Sequence, residues 1–67
     1  MSYYRVRSWD DENVCFEKSD VITSRNRARD RARGFSRKYG HAELFELDSA
    51  DAQSGKLIET WHNGKQV

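Results

Sequence analysis

The chain has 67 residues, a formal net charge of +1, one cysteine and no proline. That length accommodates a single domain, residues 1–67, whose small core leaves a narrow stability margin unless a partner subunit adds to it. Cys15 alone excludes an intramolecular disulfide and a four-thiolate zinc site, and no run approaches the ~20 apolar residues that cross a bilayer.

A lone cysteine fits a reducing compartment, and MSYYRVRSWDD lacks the apolar run of a leader peptide. The expectation is a cytoplasmic protein with no membrane contact. The charge is unevenly placed. Residues 24–40 carry seven basic side chains and one acid, Asp30, for +6, so the remainder carries −5. Such asymmetry within one small domain predicts a basic side and an acidic side.

In chain order, YYRVRSW (residues 3–9) alternates aromatic or β-branched residues with charge and reads as a strand. DDEN (10–13) is a polar turn, and VCFEK (14–18) is a second strand, which together make a hairpin. In the basic segment, Ala28, Ala32, Phe35 and Tyr39 recur at spacings of four, three and four, one stripe of a helix. Thr23 or Ser24 supplies a capping oxygen at its start. Gly40 suits a left-handed end, and Arg37 and Lys38 sit in the last turn, where the helix dipole favours cations. Gly34 weakens the middle by ~1 kcal/mol relative to alanine. HAELFELD (41–48) and LIETWH (57–62) read as further strands, joined by the loop SADAQSGK (49–56). Asn63-Gly64 is a turn signal, but only KQV follows, so a fifth strand is a stub. The predicted fold class is α+β: a small antiparallel sheet in β-β-α-β-β order with one helix packed on one face.

Strand alternation divides the side chains between two faces. Tyr4, Val6, Phe16, Leu44 and Ile58 are expected to meet Ala28, Ala32 and Phe35. Tyr3, Arg5, Arg7, Trp9, Phe45, Leu47, Leu57 and Trp61 are expected on the other face. One helix covers only one of these, so Tyr3, Arg5, Arg7, Trp9, Phe45 and Trp61 form a candidate surface for a partner or for a second copy of the chain. The competing expectation is that the 49–56 loop or the C-terminal tail folds over it. The face also has the chemistry of an RNA-stacking surface, but Glu43 and Glu59 oppose phosphate there.

The second candidate surface is the helix, with Arg25, Arg27, Arg29, Arg31, Arg33, Arg37 and Lys38. Guanidinium forks match carboxylates and phosphates. A step of two residues turns a helix position by about 200°, so the arginines spread around the solvent side, with Arg29, Arg33 and Arg37 farthest out. The competing reading is a solvated face balanced by Asp10, Asp11, Glu12 and Asp48.

Catalytic signatures are few. His41 and His62 are far apart in sequence, no HxxxH or CxxC spacing occurs, and the four glycines are dispersed. No enzyme activity, metal or cofactor is expected. The leading function is a non-enzymatic regulatory or accessory protein that binds an acidic protein surface, similar in size and layout to small phage-encoded inhibitors. The alternative is a nucleic-acid module that sets Arg29, Arg33 and Arg37 on phosphates. A structural subunit using the sheet face is the third class.

Overall fold

In the computed structural model, which describes residues 2–9 and 15–67, two strands, one helix and three further strands follow in the order the sequence leads one to expect. The expected turn at 10–13, with its acids, and the start of the second strand at Val14 lie outside the described residues, as do the side chains of Trp9, Cys15 and Phe16. The elements are β1 (Tyr3–Trp9), β2 (Cys15–Lys18), α1 (Arg25–Tyr39), β3 (His41–Leu47), β4 (Lys56–His62) and β5 (Lys65–Gln66). They form an α+β fold with an antiparallel sheet of order β2-β1-β3-β4-β5.

The helix begins and ends on local chemistry. Ser24 is the N-cap, with extended backbone, and its hydroxyl accepts the Arg27 N–H at 3.4 Å. At the other end Gly40 takes φ 95° and donates its N–H to the Ser36 carbonyl at 2.9 Å. Only a glycine enters that region without a Cβ penalty. Between the ends, Ala28 and Ala32 are fully buried, and their small side chains let the helix lie close on the sheet.

The core fills the space between α1 and the sheet. It contains Tyr4, Val6, Ala28, Ala32, Phe35, Ala42, Leu44 and Trp61, with Ile22, Tyr39 and Ile58 packed at its margin. Buried serines join elements around it. Ser19 Oγ accepts the Val6 N–H at 2.9 Å and donates to the Asp20 carbonyl at 2.8 Å. Ser36 Oγ donates to the Arg33 carbonyl at 2.8 Å and accepts the Gly64 N–H at 2.7 Å, which ties the helix to the β4–β5 turn. That turn has φ 51° at Asn63 and φ 88° at Gly64, the positive pair that a tight hairpin requires. The stub expected after it pairs as β5. Beyond β2 the chain keeps to the β1 edge, where Ile22 exchanges both backbone hydrogen bonds with Tyr4, at 2.8 and 2.9 Å.

One irregularity changes what faces the core. Leu44 lies opposite Glu59, but the next residue, Phe45, lies opposite Leu57. Ile58 is thus an extra residue in β4, a bulge that inverts the alternation of everything after it. Leu57 stays on the open face beside Phe45 and is 45% exposed. Glu59 and Trp61 turn to the helix side and are buried, against the expectation that both lie on the open face. Strict period-two reading cannot anticipate this, because a single inserted residue exchanges the two faces.

Candidate functional site

The inverted half of β4 gives the arginine helix a structural task. Arg25, Arg29, Arg33 and Arg37 recur every fourth residue, a row along one flank of α1. Glu59 sits under the start of that row. Its carboxylate, 4% exposed, accepts from Arg25 Nη2 and Arg29 Nε, each at 3.1 Å. The same Oε1 accepts the Trp61 indole N–H at 3.1 Å. A buried carboxylate is costly unless paired and hydrogen-bonded, and three donors meet that need here.

Farther along the row, the Arg29 and Arg33 guanidiniums lie 5.7 and 5.6 Å from the Trp61 ring centroid. Arg29 Nη2 also donates to Gln66 Oε1 at 3.1 Å. Arg37 covers Gly64 so closely that a Cβ there would fall 2.6 Å from Arg37 Nε. Of the three expected to reach farthest outward, Arg29 is half-buried against β4 and β5, while Arg33 and Arg37 stay exposed beside Trp61 and the β4–β5 turn. The row binds the helix to the sheet's far edge.

The opposite flank differs. Arg27 and Arg31 make no ion pair with a described residue, and Arg31 lies 5.8 Å from the Phe35 ring centroid. Together with Asp20, Val21, Ile22 and Thr23 they line a shallow groove. Lys38 closes this flank 5.1 Å from the Tyr39 ring centroid. A hydrogen bond to the Tyr39 side chain, with the nearby charges of Tyr39 and Glu17, holds the Lys38 ammonium above the ordinary lysine pKa. Tyr39 in turn donates its hydroxyl hydrogen to Glu17 at 2.5 Å.

The second candidate surface is the sheet face away from the helix. The register places Tyr3 opposite Leu47, Arg5 opposite Phe45, Arg7 opposite Glu43 and the Trp9 backbone opposite His41. Tyr3, Arg5, Arg7 and Phe45 are half-buried there. Trp61, expected among them, belongs to the core for the reason given above. Leu47 is on this face but is only 5% exposed, because the loop 48–55 folds back over it. Gly55 packs so tightly that a Cβ would meet the Glu46 carbonyl oxygen and lie 2.7 Å from Leu47 Cδ2. Arg5 Nη1 donates to the Ala52 carbonyl at 3.3 Å and fixes the loop from below. The competing expectation of a covering loop therefore applies to one end of the face, and Phe45 and Leu57 remain outside the cover.

Under the edge of that loop lies a cleft of about 50 Å3, lined by Arg5, Arg7, Phe45, Leu47, Gln53, Ser54 and Gly55. The Arg7 guanidinium carbon lies over the Phe45 ring, 5.5 Å from its centroid. Arg5 Nε is buried and has no hydrogen-bond partner among the described residues. Strand alternation places both arginines on this face but gives no sign of the cleft, because the loop that forms it has no periodic pattern.

His41 and His62 lie opposite each other across β3 and β4, with ring centroids 6.2 Å apart. Among the described residues no group of three His, Cys, Asp or Glu side chains is placed to hold a metal ion. No described helix is long and apolar enough to cross a membrane. Compared with known proteins, the chain matches no family model, no curated protein and no solved structure.

Proposed function

We propose that the chain is a small non-enzymatic binding domain that docks an acidic segment of another protein on the open face of its sheet. The observation that carries this reading is the grouping of Arg5 and Arg7 with Phe45 and Leu57 on a face that no described helix covers. Cations beside exposed apolar surface select a partner that presents acidic and apolar side chains together. The β4 edge adds backbone groups, because β5 pairs only with Trp61 and His62 and leaves Lys56–Glu59 beyond its reach. An extended acidic segment fits such an edge as an added strand. Binding of this kind suits a regulatory or accessory protein, which acts by occupying its partner.

Nucleic acid is the second reading, and Arg27 and Arg31 are the residues that favour it. Their groove also contains Asp20, and Asp30 lies beside them on the helix, so acid adjoins any phosphate path. With Arg25 and Arg29 paired to Glu59, the second reading has fewer free cations to use than composition suggests.

The two are separated by fluorescence anisotropy with two labelled probes, a peptide alternating glutamate with leucine and phenylalanine, and a single-stranded RNA. The sheet-face reading expects micromolar peptide binding that Leu57→Glu weakens at least tenfold and that Arg27→Gln with Arg31→Gln leaves unchanged. Leu57 is exposed, so its variant keeps the fold. RNA binding that falls steeply with salt and disappears in the Arg27/Arg31 variant would instead establish the second reading.

A further inference from the structure

We infer that the cleft between Arg5, Arg7 and the 48–55 loop is a carboxylate subsite that takes one Glu or Asp side chain of the docked segment. The inference rests on the sheet-face reading above and names the chemistry of its most specific contact. Three observations carry it.

The first is a fixed guanidinium. The Nη1 bond to Ala52 holds the Arg5 side chain in the lining of the cleft, and it makes no ion pair with a described carboxylate. The site is therefore arranged before any ligand arrives, which lowers the entropic cost of binding.

The second is the neighbouring cation. Arg7 Cζ lies over the Phe45 ring, 5.5 Å from its centroid, a cation–π contact that uses none of the guanidinium's N–H hydrogen bonds. Arg5 and Arg7 are two apart on one strand and so share a face. Two guanidiniums there can hold the two oxygens of one carboxylate.

The third is size and charge. A cleft of about 50 Å3 is several times the ~10–15 Å3 that admits one water, yet far below the ~300 Å3 at which small-molecule sites begin. It holds a carboxyl group and excludes a nucleobase or a cofactor. Phe45, Leu47 and Gly55 give it apolar walls that suit the methylene of an acidic side chain. Around it, Arg7 is flanked in register by Lys18 on β2 and by Glu43 on β3. The excess of positive charge is modest and suits a monoanion better than a phosphate dianion.

The test observes the Arg5 Nε–H directly by 15N-resolved NMR on the full chain, titrated with N-acetyl-glutamate blocked as its α-amide, so that the side chain carries its only carboxylate, and, separately, with inorganic phosphate and chloride at equal ionic strength. The expected result is a saturable shift of the Arg5 Nε–H with N-acetyl-glutamate, weakened about tenfold in Arg7→Gln and unchanged in Arg27→Gln. An Arg5 signal that stays still at tens of millimolar N-acetyl-glutamate overturns the subsite, as does tighter binding of phosphate. The two readings fail separately. If the glutamate-rich peptide binds the sheet face while the Arg5 signal stays still, the subsite is wrong and the docking face stands. If N-acetyl-glutamate moves Arg5 but the peptide finds no site on the sheet, the docking face is wrong and the pocket stands.

Discussion

Replacing Glu59 with glutamine keeps the shape of the side chain and removes the charge that holds Arg25 and Arg29. Each arginine loses a charge-assisted hydrogen bond of 3.1 Å. In a fully buried pair that loss reaches ~3–5 kcal/mol, because a charge is stranded in the interior. Here the arginine side chains are 55% and 42% exposed, so water reclaims them, and the surface range of ~0.2–1 kcal/mol per pair applies. The Trp61 N–H can still reach the glutamine oxygen. The new amide N–H2 group, however, is set among guanidinium donors with no acceptor, at a cost of about 1 kcal/mol. The total is ~2 kcal/mol, or roughly 8–16 °C in Tm for a domain of this size. Thermal and urea unfolding followed by circular dichroism measure it, and a double-mutant cycle with Arg29→Gln isolates the pair. A Glu59→Gln variant within ~0.5 kcal/mol of the parent, the range of an ordinary surface change, would refute the reasoning.

Three further outcomes follow from the packing. Gly34 is exposed in mid-helix, and a methyl group added to it would meet nothing within 4 Å, so Gly34→Ala should stabilise the chain by about 0.5–1 kcal/mol in urea unfolding; a loss of stability would mean that the helix backbone is strained there. Trp61→Ala should cost about 3–5 kcal/mol and abolish the cooperative transition, since the ring lies in the core under two arginines. A folded Trp61→Ala protein with altered self-association would return this residue to the open face. Lys38 has a folded-state pKa above the ordinary value, so its contribution is complete at neutral pH and is lost only as pH rises through that raised value. The difference in Tm between parent and Lys38→Gln should accordingly persist through mildly alkaline pH and vanish above the lysine range.

Much of this architecture is legible in the residues. Ala28, Ala32, Phe35 and Tyr39 mark the helix stripe, Gly40 marks its end, and Asn63-Gly64 marks the last turn, because each rests on a local backbone preference. Tyr4 and Val6 alternate with the arginines of β1, and both appear with Leu44 in the core as expected. The misplacement of Glu59 and Trp61 has one cause, the extra residue at Ile58, which depends on how β4 meets β3 and leaves no mark in β4 alone. The same bulge hides the use of the arginine row. With Glu59 expected to face outward, Asp30 is the only visible local partner, and the row looks uncommitted. The cleft is hidden for another reason. It depends on where the loop 48–55 lands, and that is decided by tertiary contacts to Arg5 and Leu47.

The most direct measurement is a chemical-shift map of the full chain titrated with the glutamate-rich peptide. The expected shifts cluster at Tyr3, Arg5, Arg7, Phe45, Leu57 and the Lys56–Glu59 edge, with Arg27, Arg31 and Lys38 unmoved. Shifts concentrated on Arg27, Arg31 and residues 20–23, with the sheet face silent, would contradict it and make the outer flank of the helix the working surface.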